Sequence, residues 1–211
     1  YDDLIRECHK RGLKVVQDIV CNHGHGSAID PSVRWAAERG VVKGLGLSFD
    51  VDSDLQSWFN HGQPQIADLM DFNDGNPKVL DWMAKIYEQY QDRGVDAFRI
   101  DTVAWMKHDF WTGFTDRMHA HKPGFFMFGE AWTNSDYEWL AAYTKLGTGT
   151  GSPMDRGMSV LDMPGSAMNT WGQLESTFKG GDYGHVDDVL AHDGAYGDAT
   201  YLVTFLDNHD T

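Results

Sequence analysis

The sequence predicts an α/β protein in which strands alternate with helices and a parallel sheet forms part of a (β/α)8 barrel. Two observations predict it. Helix-period and strand-period patterns alternate along the 211 residues, giving five strands that read as mostly apolar on both faces, as a helix-covered parallel sheet requires. Four of those strands also end in polar residues of catalytic type, whereas a doubly wound sheet concentrates its ligand groups at one switch point.

Residues 2–11 set Leu4, Ile5 and Cys8 at helical spacing and stop at Gly12; LKVVQDIV then reads as a buried strand. Over 24–66 periodicity is lost and Gly, Asp and Trp mix, which predicts a long excursion or small subdomain between barrel parts at 1–23 and 67–211. Pro77, Val79, Leu80, Trp82, Met83, Ile86, Tyr87 and Tyr90, closed by Gly94, predict an amphipathic helix of about four turns before the strand VDAFRI. A helix with Phe110, Phe114 and Met118 precedes FFMFG, and one around 135–146 precedes a strand near 158–162. A last helical stretch leads into the strand YLVTFL.

Composition excludes several classes. With 41% hydrophobic and 13% aromatic residues the chain has material for one sizeable core. A formal charge of −15 repels nucleic acid and anionic membranes, so neither is expected as a partner. No apolar run is long enough to span a membrane, and no signal-peptide pattern opens the chain. Cys8 and Cys21 lack metal or redox spacing and read as two buried free thiols. Oligomeric state leaves no mark in the sequence.

The residues leaving the strands are Asn22 and His23, then Asp101, then Glu130, then Asn208, His209 and Asp210. Any one of them alone reads as a helix cap or turn former; four coincident strand exits do not. Three carboxylates with histidines and an arginine, and no Ser-His-Asp order or phosphate loop, suit acetal chemistry. One carboxylate attacks or activates water, one carboxylic acid protonates the leaving oxygen, and a third can stabilise positive charge. Arg99, on the same strand face as Asp101, can hold that carboxylate ionised or form an ordinary ion pair.

The segments DIVCNH (18–23), FRIDTV (98–103), GEAW (129–132) and FLDNHD (205–210), with IADLMDFN (66–73), resemble in order the signature segments of the α-amylase family, glycoside hydrolase family 13. The resemblance implies a retaining hydrolase of α-1,4-glucosidic bonds in starch or malto-oligosaccharides, with Asp101 as nucleophile, Glu130 as acid/base and Asp210 as transition-state stabiliser. A cyclodextrin-forming or other transglycosylating relative, or a non-catalytic glucan-binding relative, are the alternatives. It further implies that Arg99, His23 and His209 bind around the cleaved sugar, and that this is about strands 3 to 7 of the barrel, with an inserted domain after the third, from a longer chain. By analogy with starch-degrading relatives, an extracellular or periplasmic location is expected.

The resemblance also implies calcium held by the Asn22 side chain, the Asp68 carboxylate and the Trp105 backbone oxygen, hard donors that suit that ion. Asp50, Asp52 and Asp54 could add a ligand or form a solvated acidic loop. DFNDGN (71–76) is better read as a turn and helix cap than as a calcium loop, since no closing Glu follows. His25, His119 and His121 complete no zinc set. Trp35, Trp58, Phe59 and Trp132 are sugar-stacking candidates against core packing, and only Trp132 is placed beside the chemistry. Ala104 and Trp105 stand where many members carry Lys and His, so Trp105 either stacks on the leaving-group side or packs beside Phe110.

Overall fold

The computed structural model describes residues 1–24, 57–60, 65–67, 69–132, 137–145, 157–162, 177, 179–196, 198–205 and 209. Four parallel strands, β1 (Val16–Val20), β4 (Ala97–Asp101), β5 (Phe126–Gly129) and β6 (Ser159–Val160), form one sheet in the order β1-β4-β5-β6. A parallel bridge from Leu161 to Val203 continues the order. Strands of the sheet that neighbour each other in space therefore follow one another along the chain, as in a barrel wall. Two short strands, β2 (His23–Gly24) and β3 (Met70–Asp71), pair antiparallel beside it.

Helices α1 (Asp2–Lys10), α2 (Pro77–Asp92), α3 (His108–His121), α4 (Tyr137–Thr144) and α5 (Gly184–Leu190) fall close to the sequence expectations. Pro77 opens α2 where its missing N–H costs nothing, and the Asn76 side chain caps it by accepting from Lys78 N at 3.0 Å. Asn73 Oδ1 accepts from Gly75 N, so DFNDGN is a turn and cap. Gly94 ends the helix at φ +98°, a conformation only glycine adopts freely.

One face of the sheet is fully paved. Phe98, Ile100, Met127 and Val160 are buried there beneath α2, α3 and α4, with Phe98 edge-on to Tyr87 and Phe125 at 5.8 and 4.7 Å. Each such side chain contributes about 1.5–3 kcal/mol by leaving water. Gly129 lies in this layer because a Cβ would meet the Val103 methyls at 2.8 and 2.9 Å and Met158 Sδ at 3.0 Å. The opposite face sets Asp18, Arg99 and Asp101 among Val16, Val20, Ala97, Phe126 and Phe128, so the strands are mostly apolar on both sides but carry a charged cluster on this one.

Three expectations change. LKVVQDIV is not a buried strand throughout: Leu13 and Val16 are exposed and only Ile19 is buried within β1, because β1 is the sheet edge among the described residues. Leu4 is exposed as well, since α1 packs chiefly through Ile5. YLVTFL is reduced, among the described residues, to the single bridge at Val203, with Tyr201 in a 3₁₀ turn.

Both cysteines are free, but only Cys21 is buried. At the N-terminal end of the sheet Asp96 accepts from Val15 N, His9 Nε2 and Lys14 Nζ at 2.8, 2.8 and 3.0 Å. Burial alone would raise its carboxyl; these three donors outweigh it and hold it down at about 2. Among the described residues no helix is long and apolar enough to cross a membrane.

Candidate active site

Register places the central groups. Ile100 pairs with Gly129, so the next residues, Asp101 and Glu130, leave adjacent strands side by side. Backbone bonds fix Glu130 there: its N–H donates to Ile100 O at 2.7 Å, and its carbonyl accepts from Val103 N at 3.1 Å. The 3₁₀ turn Val103–Trp105 is held in turn from the helices, where Trp111 Nε1 donates to Val103 O at 2.9 Å and the Tyr143 hydroxyl at 3.3 Å.

Arg99, two residues before Asp101 on the same face, joins the carboxylates. Its Nη1 donates to Asp101 Oδ1 at 2.6 Å and to Asp18 Oδ1 at 2.9 Å, while Nη2 donates to Glu130 Oε1 at 2.8 Å. The side chains of Arg99 and Glu130 are 11% and 8% exposed and that of Asp101 22%, so the charges meet in a partly desolvated place where each attraction is strengthened. Burial would lower the Arg99 pKa, but Glu130, Asp101 and Asp18 raise it above its ordinary value, so this cation is permanent. The other Glu130 oxygen accepts from Thr102 N at 3.2 Å. Thr102 makes that contact from φ +50°, a region strained for a β-branched residue.

The remaining candidates are placed as follows. His23 lies in β2 opposite Asp71, half-buried, with Nδ1 unpartnered. His209 is exposed. Trp105 and Trp132 are 46% and 40% exposed, so each keeps a large part of its ring open to solvent. Trp58 and Phe59 are core residues rather than sugar platforms: Trp58 meets Trp82 edge-on at 5.6 Å and Phe59 stacks on Phe72 at 4.9 Å. Asn22 is buried with Nδ2 unpartnered, and the Trp105 carbonyl accepts from Gln65 Nε2 at 3.1 Å. Asp68, Asp210, Asn208, Trp35, His25 and the Asp50, Asp52, Asp54 cluster lie outside the described residues. Among the described residues no three His, Cys, Asp or Glu side chains gather at metal-binding distance.

Sequence reading passed over three groups that the fold brings to this end of the sheet or its inner face: Asp18, the Thr102 N–H, and Asp162. Asp162 lies two residues past β6, one further than Glu130 lies past β5, because Leu161 comes between. Burial, with the charge of Asp193 adding, pushes its carboxyl up to about 6. A carboxyl raised above the unfolded value of about 3.9 favours the fold when protonated, so its penalty is absent in acid and develops as pH rises through the folded value. Asp162→Asn, neutral at every pH, is expected to raise the Tm of the whole protein at about pH 8 and to leave it unchanged below about pH 4. Equal Tm values for the two proteins across that range would contradict it.

Residues 45–211 match the family model described as the alpha amylase catalytic domain. Over its full length the chain is 24% identical to a cyclomaltodextrin glucanotransferase of Bacillus sp. (strain 1-1) and 26% identical to an alpha-amylase of Niallia circulans. It spans 30% and 40% of the lengths of those two relatives. The solved alpha-amylase of Geobacillus thermoleovorans, complexed with acarbose, shares the fold at a TM-score of 0.74 and 23% identity, covering 100% of this chain and 43% of the amylase. The strand order, the register that sets Asp101 beside Glu130, and the family match together make this chain a member of the α-amylase family, glycoside hydrolase family 13.

Proposed function

We propose that the chain carries the centre of a retaining glycosidase that cleaves α-1,4-glucosidic bonds in starch or malto-oligosaccharides. The observation that carries this reading is the single Arg99 guanidinium bonded to Asp101 and Glu130 from adjacent strands, which sets two carboxylates at the spacing of one fork. In the first step Asp101 attacks the anomeric carbon as Glu130 gives its proton to the departing glycosidic oxygen. In the second, Glu130 takes a proton from water, whose oxygen displaces Asp101 and restores the starting configuration. Asp210 stabilises the positive charge at the ring between these states, and His23 and His209 bind the sugar undergoing cleavage. Trp105 and Trp132, both exposed, supply stacking faces.

In this reading the sheet is an arc of about strands 3 to 7 of a (β/α)8 barrel, and 24–66 is an inserted domain. Supporting it are the sequential strand order and the antiparallel β2–β3 pair at the base of that segment. Calcium at the same junction would be held by Asn22, Asp68 and the Trp105 carbonyl. The fit rests on the buried Asn22 amide, whose unpartnered end becomes an oxygen donor when the amide turns over, and on the Trp105 carbonyl facing Gln65 near the end of the insertion. A bound calcium supplies native-state stabilisation by mass action, so chelation is expected to lower the Tm of the whole protein. An unchanged Tm after exhaustive chelation would remove calcium from the account.

The activity is tested by incubating the whole protein with amylose and following the anomeric protons of the first products by NMR. Linear malto-oligosaccharides released as α-anomers are expected; β-anomers, or no cleavage, would overturn the reading. A transglycosylating enzyme is the second reading, favoured by the exposed Trp105, which offers an acceptor sugar a surface where water would otherwise intercept the intermediate. Cyclic or elongated products in the same experiment identify it.

A further inference from the structure

We propose that Asp74 is a positioning residue for glucan binding: reaching across from the turn before α2, its carboxylate anchors Lys107 N and so holds the loop that presents the Trp105 ring. The proposal rests on the glycosidase reading above, in which that ring serves the leaving-group side of the cleaved bond. Asn73, Asp74 and Asn76 share one turn, but their side chains go different ways. Asn73 Oδ1 and Asn76 Oδ1 accept from Gly75 N and Lys78 N, and both amides donate to Ser57 O at 3.0 Å. Asp74 instead reaches 33 positions along the chain: Oδ2 accepts from Lys107 N at 2.8 Å, with Lys107 Nζ 3.3 Å from Oδ1.

The backbone contact is the stronger of the two. The Asp74 side chain is 10% exposed and that of Lys107 71%, so the carboxylate is largely withdrawn from water, while the ammonium stays screened and adds little. A bond from an N–H to a carboxylate is charge-assisted and roughly twice as strong as a neutral one. Lys107 is also the N-cap of α3 and makes no side-chain cap of its own, so the anion sits at the positive end of that helix.

Chain connectivity gives the contact its consequence. Trp105 lies between two anchored residues: Val103, whose N–H donates to Glu130 O at 3.1 Å and whose carbonyl accepts from Trp111 Nε1, and Lys107, held by Asp74. Met106 is buried, and the Trp105 carbonyl accepts from Gln65 Nε2. The half-exposed ring is thus presented to solvent from a fixed backbone. An aromatic surface ordered in advance loses less freedom when a sugar binds, so anchoring raises affinity without adding a contact. Without the Asp74 carboxylate the Lys107 end is released, while the bonds that place Glu130 beside Asp101 stay as they are. The loss should therefore fall on substrates long enough to reach Trp105.

The test compares Asp74→Ala and Asp74→Asn in the whole protein, with and without Trp105→Ala, at saturating calcium chloride so that loss of a bound ion is not what is read. Calorimetry measures the Kd for maltoheptaose in the Asp101→Asn background, where the sugar stays intact. Turnover of α-maltosyl fluoride, whose leaving group is too small to reach Trp105, gives kcat/KM with Asp101 in place. Asp74→Ala is expected to weaken maltoheptaose binding by about three- to tenfold, the size of one aromatic contact, with maltosyl fluoride turnover little changed. Asp74→Asn keeps only a neutral bond to Lys107 N and should show part of that loss; neither change should matter once Trp105 is alanine. An affinity unchanged in either folded variant overturns the proposal. So does an equal loss for both substrates, or the same loss in the Trp105→Ala background, which would show only a helix cap. A wild type that cleaves neither substrate removes the glycosidase reading while calorimetry still decides the anchor; absence of maltoheptaose binding removes the anchor as well.

Discussion

Asp101→Asn is expected to lower α-glucan turnover by roughly four orders of magnitude or more while leaving the protein folded, since removing a nucleophile in other hydrolases costs effects of that size. The amide is isosteric and its oxygen still accepts from Arg99, so the β4–β5 junction keeps its geometry. What is lost is the anion: an amide oxygen cannot form the glycosyl ester on which retention depends. Turnover of an activated maltoside, read beside the thermal melt, separates the two effects. A variant with near wild-type rate would remove Asp101 from the nucleophile role. A variant that melts many degrees lower would show that the carboxylate mainly holds the sheet. Truncation to Asp101→Gly, with azide added, extends the test: a small anion entering the vacated space should restore turnover and give a product of inverted configuration.

Arg99→Met is expected to cost about 3–5 kcal/mol of stability, the range found when one partner of a buried ion pair is removed. The reason lies in what remains. Glu130, 8% exposed, and Asp101 would face each other and Asp18 without the guanidinium that joins them. Thermal or denaturant melts of the whole protein measure the loss. Arg99→Lys separates charge from shape: a lysine ammonium keeps the cation but is a point charge that cannot bridge two carboxylates along a planar fork. Most of the stability should therefore return without the activity. Wild-type turnover in Arg99→Lys would show that the fork geometry is immaterial.

Much of the frame was legible because its signals are local. Pro77 and Gly94 bracket α2, and the residues that end β4 and β5 are those that the register sets side by side. The rest depends on neighbours that a linear pattern does not name. Asp18 sits inside a segment that reads as a buried strand, and its role appears only when Arg99 is found across from it, 81 positions along the chain. Thr102 holds a left-handed conformation that nothing about a threonine announces. Trp58 and Phe59 share the aromatic character of Trp105 and Trp132, and only partners distinguish them: the first two meet Trp82 and Phe72, the second two meet solvent. Val16 shows the same limit for burial, since β-branched character predicts a strand but not whether that strand lies at an edge.

The clasp between His23–Gly24 and Met70–Asp71 has a bearing on how such a site can diversify. It joins the chain on either side of the intervening segment just beyond β1, with Phe72 N donating to Asn22 O at 2.8 Å directly beneath it. Once the two ends are closed there, adding residues away from the core pair Trp58 and Phe59 costs little more than loop entropy, about 0.6 kcal/mol for each doubling of length. The strands that carry Arg99, Asp101 and Glu130 do not register the change. The clasp therefore lets the chain between His23 and Met70 vary in length without moving the strand ends that carry Arg99, Asp101 and Glu130.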